Sequence, residues 1–318
     1  MHLSKIANLI DAQIPNLKEV EVSGFSSPEN PKPNTIIYIA KPENYNIEEL
    51  AKNSVLLLDF KFIDIYKFNN SLFSKNPKLS FTKLANIFAK ANSSLLSIHE
   101  RPDLYLGENV YIGNNSKFGR NVVIENNVKI GSNCLIHHNV VIHSNVTIGD
   151  NVIISSGSII GSEGFGNIFS DDLRWLHIQH KGGVTIGNDC QIGSNCCIDQ
   201  GTIDPTVIKN GVILDNLVHI AHNVKIGSNT AIAAKVGIAG SCLIGERNMI
   251  GGMVGIVDHI KTADDVIITA TSTVNKDLKE PGTYTGIMPI SEHVNWKRVA
   301  LWITKLDKIV KFLNIKKI

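Results

Sequence analysis

An apolar residue returns at every sixth position through most of this chain, and few folds can satisfy that rhythm. It stands at Leu106, Ile112, Phe118, Ile124, Ile130, Ile136, Ile142, Ile148, Ile154 and Ile160, then resumes at Ile186, Ile192 and Ile198. The register slips by four residues at Asp204-Pro205. It then holds from Ile208 through Leu214, Ile220, Ile226 and onward to Ile256, fading at Ile268 and Val274. A period kept this long signals stacked repeats. Each hexad reads as a short strand plus a turn, with the Ile inward and a small residue after it, and three hexads close a triangular coil. Coils stacked at roughly the usual 4.8 Å strand spacing bury one another's apolar rows. The expected fold is mainly β: a left-handed parallel β-helix over 101–278. Solenoids of this kind associate as trimers along their flat faces, with ligand sites in the clefts between subunits.

Two flanking regions lack the period. Residues 1–100 alternate short β-runs (Thr35–Ala40, Val55–Leu58) with helical stretches (Leu3–Ile14 with Ser4 as N-cap, Ile47–Asn53, Ser80–Ala91), which predicts a small α/β domain. Residues 279–318 open on Glu280-Pro-Gly and predict one helix from a Ser291 cap to about Asn314. Its apolar stripe is Val299, Trp302, Ile303, Leu306, Ile309, Val310 and Leu313. Lys297, Arg298, Lys305, Lys308 and Lys311 make that helix basic, as a solvated cap or as a docking surface for an acidic partner. Within the solenoid, 161–183 breaks register. Gly164 and Gly166 around Phe165 predict an ordered, tightly turning loop able to cover a site.

A net charge of +2 gives no field that would point to nucleic acid. The five cysteines lack zinc-ligand spacing, and four take small apolar places in the repeat, so reduced core thiols are expected. The N-terminus has no long apolar segment and no run of eighteen apolar residues occurs. The expectation is a cytoplasmic protein without signal peptide or transmembrane segment.

Six histidines fall in the repeat, and taken singly each reads as a solvated face residue. His138 and His143 have a zinc-like spacing, but the third ligand would fall near Pro102, so no metal is expected. His222 differs, because Gly240 stacks on it one eighteen-residue coil later. A base beside a bare backbone N–H is what acyl transfer requires: one group takes the nucleophile's proton and the other steadies the oxyanion. Asp215, seven residues earlier, is the candidate to orient the ring. His259, about two coils on, suits a contact with an extended substrate. His219 lacks such a partner and is set aside.

Several segments together resemble the UDP-3-O-(3-hydroxyacyl)glucosamine N-acyltransferase family of lipid A synthesis. They are Gly161-Ser-Glu-Gly-Phe-Gly166, Asp215-Asn216, Ile220-Ala-His-Asn-Val224, Ala239-Gly240, Asp258-His259 and Glu280-Pro-Gly. The resemblance implies a homotrimer that moves an (R)-3-hydroxyacyl chain from acyl carrier protein to the 2-amino group of UDP-3-O-acylglucosamine. No cofactor is bound, since 4'-phosphopantetheine arrives on the carrier. It implies His222 as general base assisted by Asp215, Gly240 N–H as oxyanion donor, Asn216 on the pantetheine arm, and His259 on the nucleotide-sugar. Arg298 and Lys305 would meet the carrier, and Phe165 the substrate. Tyr38 and Tyr45 fit the family's uracil-stacking pair, with Lys41 where the family carries Asn. Some members limit acyl length with methionines on the last coils. The small, polar Thr269–Asn275 here predicts longer chains. The alternative on the same fold is an acyltransferase for another nucleotide-sugar or amine.

Overall fold

A computed structural model describes residues 1–16, 20–68, 71–89, 95–97, 103–287 and 290–313. The chain forms two compact units, Met1–Ser94 and Leu95–Ile318. The expected boundary at 100 lies outside the described residues, as do Ala91, Pro102 and Asn314, and the tail from 279 falls in the second unit.

The first unit is a four-stranded parallel sheet of Gly24–Phe25, Thr35–Tyr38, Val55–Asp59 and Ser71–Ser74, in that order. Helices Leu3–Leu9, Ile47–Ala51 and Pro77–Ala89 complete it. Successive strand residues feed opposite cores: Ile36, Val55 and Leu57 join Leu3, Ile6 and Leu84, while Ile37, Leu56 and Leu58 join Ile47 and Phe73. Burial on both faces explains why Val55–Leu58 is apolar throughout rather than alternating. The first helix starts at Leu3, before Ser4, and stops five residues short of expectation. Asp11 adopts a left-handed φ of 51° there, turning the chain so that Gln13 bridges Phe73. Ser71–Ser74, unanticipated, is a strand because it pairs along Leu56–Asp59 rather than by its own propensity.

The second unit is the β-helix. Strands pair in parallel with the next coil, as in Lys129↔Thr147 and His219↔Gly237, and form three faces. One face contains Lys225–Ile226, the second Ile213–Leu214 and the third His219–Ile220. A step of six residues therefore moves the chain to the next face. Each hexad buries two residues, not one: Ile220 with Val218, Ile226 with Val224, Ile136 with Cys134. Full burial of an aliphatic chain contributes about 1.5–3 kcal/mol. Four of the five cysteines occupy that second inward row and are reduced and buried.

The turns hold a regularity that the small-residue expectation missed. The residue three after the Ile takes a left-handed φ of about 55–63°, as at Asn109, Asn115, Asn121, Asn127, Asn133 and Asn223. Asn tolerates that conformation better than other side-chain-bearing residues. Its amides also ladder between coils, with Asn109 Nδ2 donating to Asn127 Oδ1 at 3.1 Å.

The 161–183 excursion is an antiparallel hairpin, Asn167–Phe169 against Trp175–His177. The tail is two helices, His293–Thr304 and Leu306–Phe312, broken at Lys305, with no side-chain cap at Ser291. Its apolar stripe is largely exposed in the single chain, with Ile309 and Val310 half-covered. Among the described residues no helix is long and apolar enough to cross a membrane.

Candidate active site

Each β-helix corner leaves one backbone N–H, on the residue two after the Ile, without a partner in its own coil. Several corners satisfy it with a side chain from the same place one coil on. Arg120 N–H donates to His138 Nδ1 at 2.7 Å, Ser132 N–H to Asp150 Oδ1 at 2.6 Å, and Ser194 N–H to Asn216 Oδ1 at 2.7 Å. His222 and Gly240 hold this place on successive coils. Glycine offers no side chain to the coil below, and the Gly240 N–H itself has no acceptor among the described residues.

The four-residue slip builds the other side of this corner. Thr202 donates its N–H (3.1 Å) and hydroxyl (2.9 Å) to Asn223 Oδ1, while Asn223 Nδ2 donates to the Asp204 carbonyl at 3.0 Å. Those partners fix which end of the amide is oxygen. Oδ1 also lies 3.1 Å from His222 Nδ1, so that nitrogen donates and carries the ring proton. The Nε2 lone pair is left free. It lies against Gly240, where an added Cβ would sit 2.8 Å from Nε2 and 2.7 Å from Cε1. The ring thus occupies the space that a side chain at 240 would need.

Nε2 and Gly240 border a cleft of about 490 Å³, lined also by Phe165, Asp199, His219, Ala239 and Thr273. Phe165 is 89% exposed at its mouth, an apolar ring with nothing over it. Gly164 and Gly166 are glycine for a reason of space. A Cβ on Gly164 would meet His222 Cβ at 2.8 Å, and one on Gly166 would meet His180 Cε1 at 2.5 Å.

The structure adds residues that the sequence did not single out. His180 is 4% exposed, with its ring centroid 5.1 Å from that of His222. Burial, then the nearby His222, pushes its imidazole below the ordinary histidine range. Asp199, nearly buried, accepts from Ser162 Oγ at 2.6 Å and lies 3.7 Å from His219 Nε2. His219, set aside for want of a partner, therefore has one and lines the cleft. Cys197 is beside this pair, its thiol pushed up by burial. Only stacking shows these groupings; the hint available was a polar residue at 199 just after an inward Ile.

Asp215 stands apart from His222 within one chain. It follows Leu214 on the second face, whereas His222 follows Ile220 on the third, so the two stand at different corners. Asp215 Oδ1 accepts from Asn216 N–H at 2.7 Å and borders a separate apolar cleft with Ala231, Met249 and Ile267. Within one chain the partner of His222 is Asn223. Asn216 is exposed beside Asp215. His259 lies two coils above Asn223, with φ 60° and its N–H donating to the Gly240 carbonyl at 3.0 Å, its side chain exposed. Tyr38, Lys41 and Tyr45 belong to the first unit: Tyr38 packs near Phe81, Lys41 is exposed, and Tyr45 OH donates to Glu29 at 2.8 Å. Arg298 and Lys305 flank a groove with Leu301, Trp302 and Ile309 on the tail helices.

The family model for bacterial transferase hexapeptide (six repeats) matches residues 103–135, 127–162 and 205–240. All three matched segments lie within the β-helix. The chain is 48% identical over 152 residues to a UDP-3-O-acylglucosamine N-acyltransferase of Bordetella avium, covering 46% of this chain and 42% of that protein. A protein of the same name from Delftia acidovorans is 42% identical over 150 residues, 47% of this chain and 44% of that one. The chain thus spans less than half the length of these relatives. Among solved structures, the UDP-N-acetylglucosamine O-acyltransferase of Moraxella catarrhalis superposes with a TM-score of 0.53 at 24% identity, covering 68% of this chain and 85% of that one. UDP-N-acetylglucosamine acyltransferase from Campylobacter jejuni gives 0.53 at 23% identity, covering 64% and 83%. These two share the hexapeptide array's fold.

Proposed function

We propose that the chain is an N-acyltransferase of lipid A synthesis that moves an (R)-3-hydroxyacyl group from acyl carrier protein to the 2-amino group of UDP-3-O-acylglucosamine. One observation carries this reading: a histidine with a free Nε2 lone pair faces a glycine whose N–H has no acceptor among the described residues. The names of the relatives support the substrate class.

The sugar's amine nitrogen attacks the thioester carbonyl carbon. His222 Nε2 takes the proton that the nitrogen must lose, and Asn223 Oδ1 steadies the resulting imidazolium through Nδ1–H. The carbonyl oxygen becomes an oxyanion and accepts from Gly240 N–H. As the tetrahedral intermediate collapses, the C–N bond remains, the C–S bond breaks, and His222 returns its proton to the departing thiolate. The products are an amide and free pantetheine thiol on the carrier. No resident cofactor takes part.

In this reading Phe165 and His259 contact the nucleotide-sugar, and Tyr38, Lys41 and Tyr45 of the first unit are its uracil-binding residues. Arg298 and Lys305 meet the acidic carrier. Asp215 and Asn216 stand at another corner, so they serve a His222 cleft only from a second copy of the chain, as the homotrimer of this reading provides. The setting is cytoplasmic, where carrier and nucleotide-sugar occur together.

The test is carrier-dependent N-acylation of UDP-3-O-acylglucosamine by wild type and His222→Ala. Wild-type turnover with loss in the variant is expected. Full activity in the variant overturns the mechanism, and an inactive wild type overturns the function.

A further inference from the structure

The hairpin stem holds a second cluster of chemistry-bearing side chains that acyl transfer leaves unused. Glu163, His177 and His180 each bring one ligand atom to within 4.8 Å of the others. His180 is nine-tenths buried, and neither ring nitrogen has a hydrogen-bond partner. A buried imidazole with both nitrogens idle is unfavourable unless something absent from the chain satisfies one of them. Gly164 and Gly166 close over the ring, so it has no room to turn outward toward water.

The other two groups are already aimed. His177 Nδ1 lies 3.3 Å from Asn167 Oδ1, its cross-strand neighbour, which turns His177 Nε2 toward Glu163 Oε1 at 2.9 Å. A ring nitrogen held from behind by an amide oxygen is the arrangement that orients metal-binding histidines. The exposed Glu163 carboxyl supplies an oxygen donor facing both imidazoles. Two imidazoles and one carboxylate match the donor set of catalytic and regulatory zinc-type sites, with a fourth position open to water.

We propose that Glu163, His177 and His180 bind one divalent transition-metal ion of the zinc type. The ion replaces the Glu163–His177 contact with two metal bonds and adds a third to the idle nitrogen of His180. It thereby clamps the stem of the 167–177 hairpin to the ring beside His222, and with it the Phe165 segment at the cleft mouth. The second group with suitable ligands, Cys197, Asp199 and His219, makes a poorer site because Asp199 is already satisfied by Ser162.

The test needs no acyl-transfer assay and so stands apart from the proposed function. Tag-free, chelator-treated full-length protein is titrated with Co²⁺ and with Zn²⁺ by calorimetry and absorption. One equivalent per chain is expected, with micromolar or tighter affinity and no thiolate charge-transfer band. His180→Asn, His177→Asn and the exposed Glu163→Gln should each weaken binding by about a hundredfold or more, and Asn167→Ala by about tenfold. His222→Ala should bind as wild type does. Zn²⁺ should also slow amide exchange across 167–177. Absence of uptake by folded wild type overturns the proposal. So does undiminished binding in Glu163→Gln and both histidine variants, or uptake that vanishes in Cys197→Ser. Unchanged hairpin exchange on Zn²⁺ binding overturns the clamp.

Discussion

His138 and His222 occupy the same place in the six-residue repeat, two positions after an inward isoleucine, and the chain uses them oppositely. At His138, Nδ1 accepts the Arg120 N–H from the coil below, so the ring serves as a corner cap. At His222, the insertion of 201–204 replaces the regular corner below, and Nδ1 faces the Asn223 amide oxygen, to which it donates. The coil above differs as well, since Ser156 follows His138 and Gly240 follows His222. One imidazole spends its lone pair on the backbone; the other keeps it for the cleft. The unspent lone pair occurs where the corner below is irregular and the residue above is a glycine.

The sharpest break of that comparison is to delete each ring. His222→Ala is expected to lower kcat by about 10²–10⁴, the range for a general base. His138→Ala should leave kcat within about twofold, since nothing near it touches the cleft. Equal losses in carrier-dependent turnover would mean that the two positions do not differ in the way described.

Next in size is the coil above. Gly240→Ala puts a methyl group 2.7–2.8 Å from two atoms of the His222 ring, and its three nearest neighbours are all atoms of that ring. The φ at 240 is not left-handed, so alanine is conformationally tolerated there. The ring must move while the fold stays, and kcat should fall about 10²-fold with the thermal transition unchanged. A variant that retains activity would show that the ring's close approach to 240 does not set the position of the base.

A smaller effect comes from below the ring. Asn223→Ala removes the acceptor that holds Nδ1–H but leaves the base, and about a tenfold loss in kcat with little change in KM is expected, the smaller share of a hydrogen bond to a charged group. If Asn223→Ala is silent while Asp215→Ala is not, the ring takes its orientation from a second chain. Mixing His222→Ala with Asp215→Ala protein through a dissociation and reassembly step decides that directly. Residues acting in trans restore activity at about a quarter of the sites by random assortment in a cyclic oligomer. Residues acting within one chain restore none.

These expectations also mark how far the sequence alone reached. The solenoid was legible because every coil repeats one local arrangement, so the isoleucine period names the inward face directly. His222 with Gly240 was legible for the same reason, eighteen residues being one coil. Asp215 is not beside His222 within one chain, because a step of six residues already carries the chain to another face. Asn223 was hidden in plain view: it resembles Asn109 through Asn229, each placed by the left-handed turn, and its second task depends on Thr202 and Asp204 in an irregular insertion. His180 lies in a stretch without period, where no stacking rule applies. The tail broke into two helices at Lys305, which has ordinary helix propensity, so no residue there marked the break.

The least effect is the one most specific to the comparison. His138→Ala removes the acceptor for the Arg120 N–H, a group that lies at an exposed corner where water can replace the lost partner. The cost should be about 0.5–1 kcal/mol, at the low end for a lost cap, which in a unit of this size lowers Tm by about 1–4 °C. His138→Asn restores an acceptor of the kind that Asn216 supplies to Ser194, and should recover most of that loss. The reciprocal change, His222→Asn, recovers nothing in activity, because an amide can cap a corner but cannot take a proton at neutral pH. Differential scanning calorimetry and turnover on the same four proteins separate the two uses of one repeat position. Rescue of activity by His222→Asn would overturn the distinction.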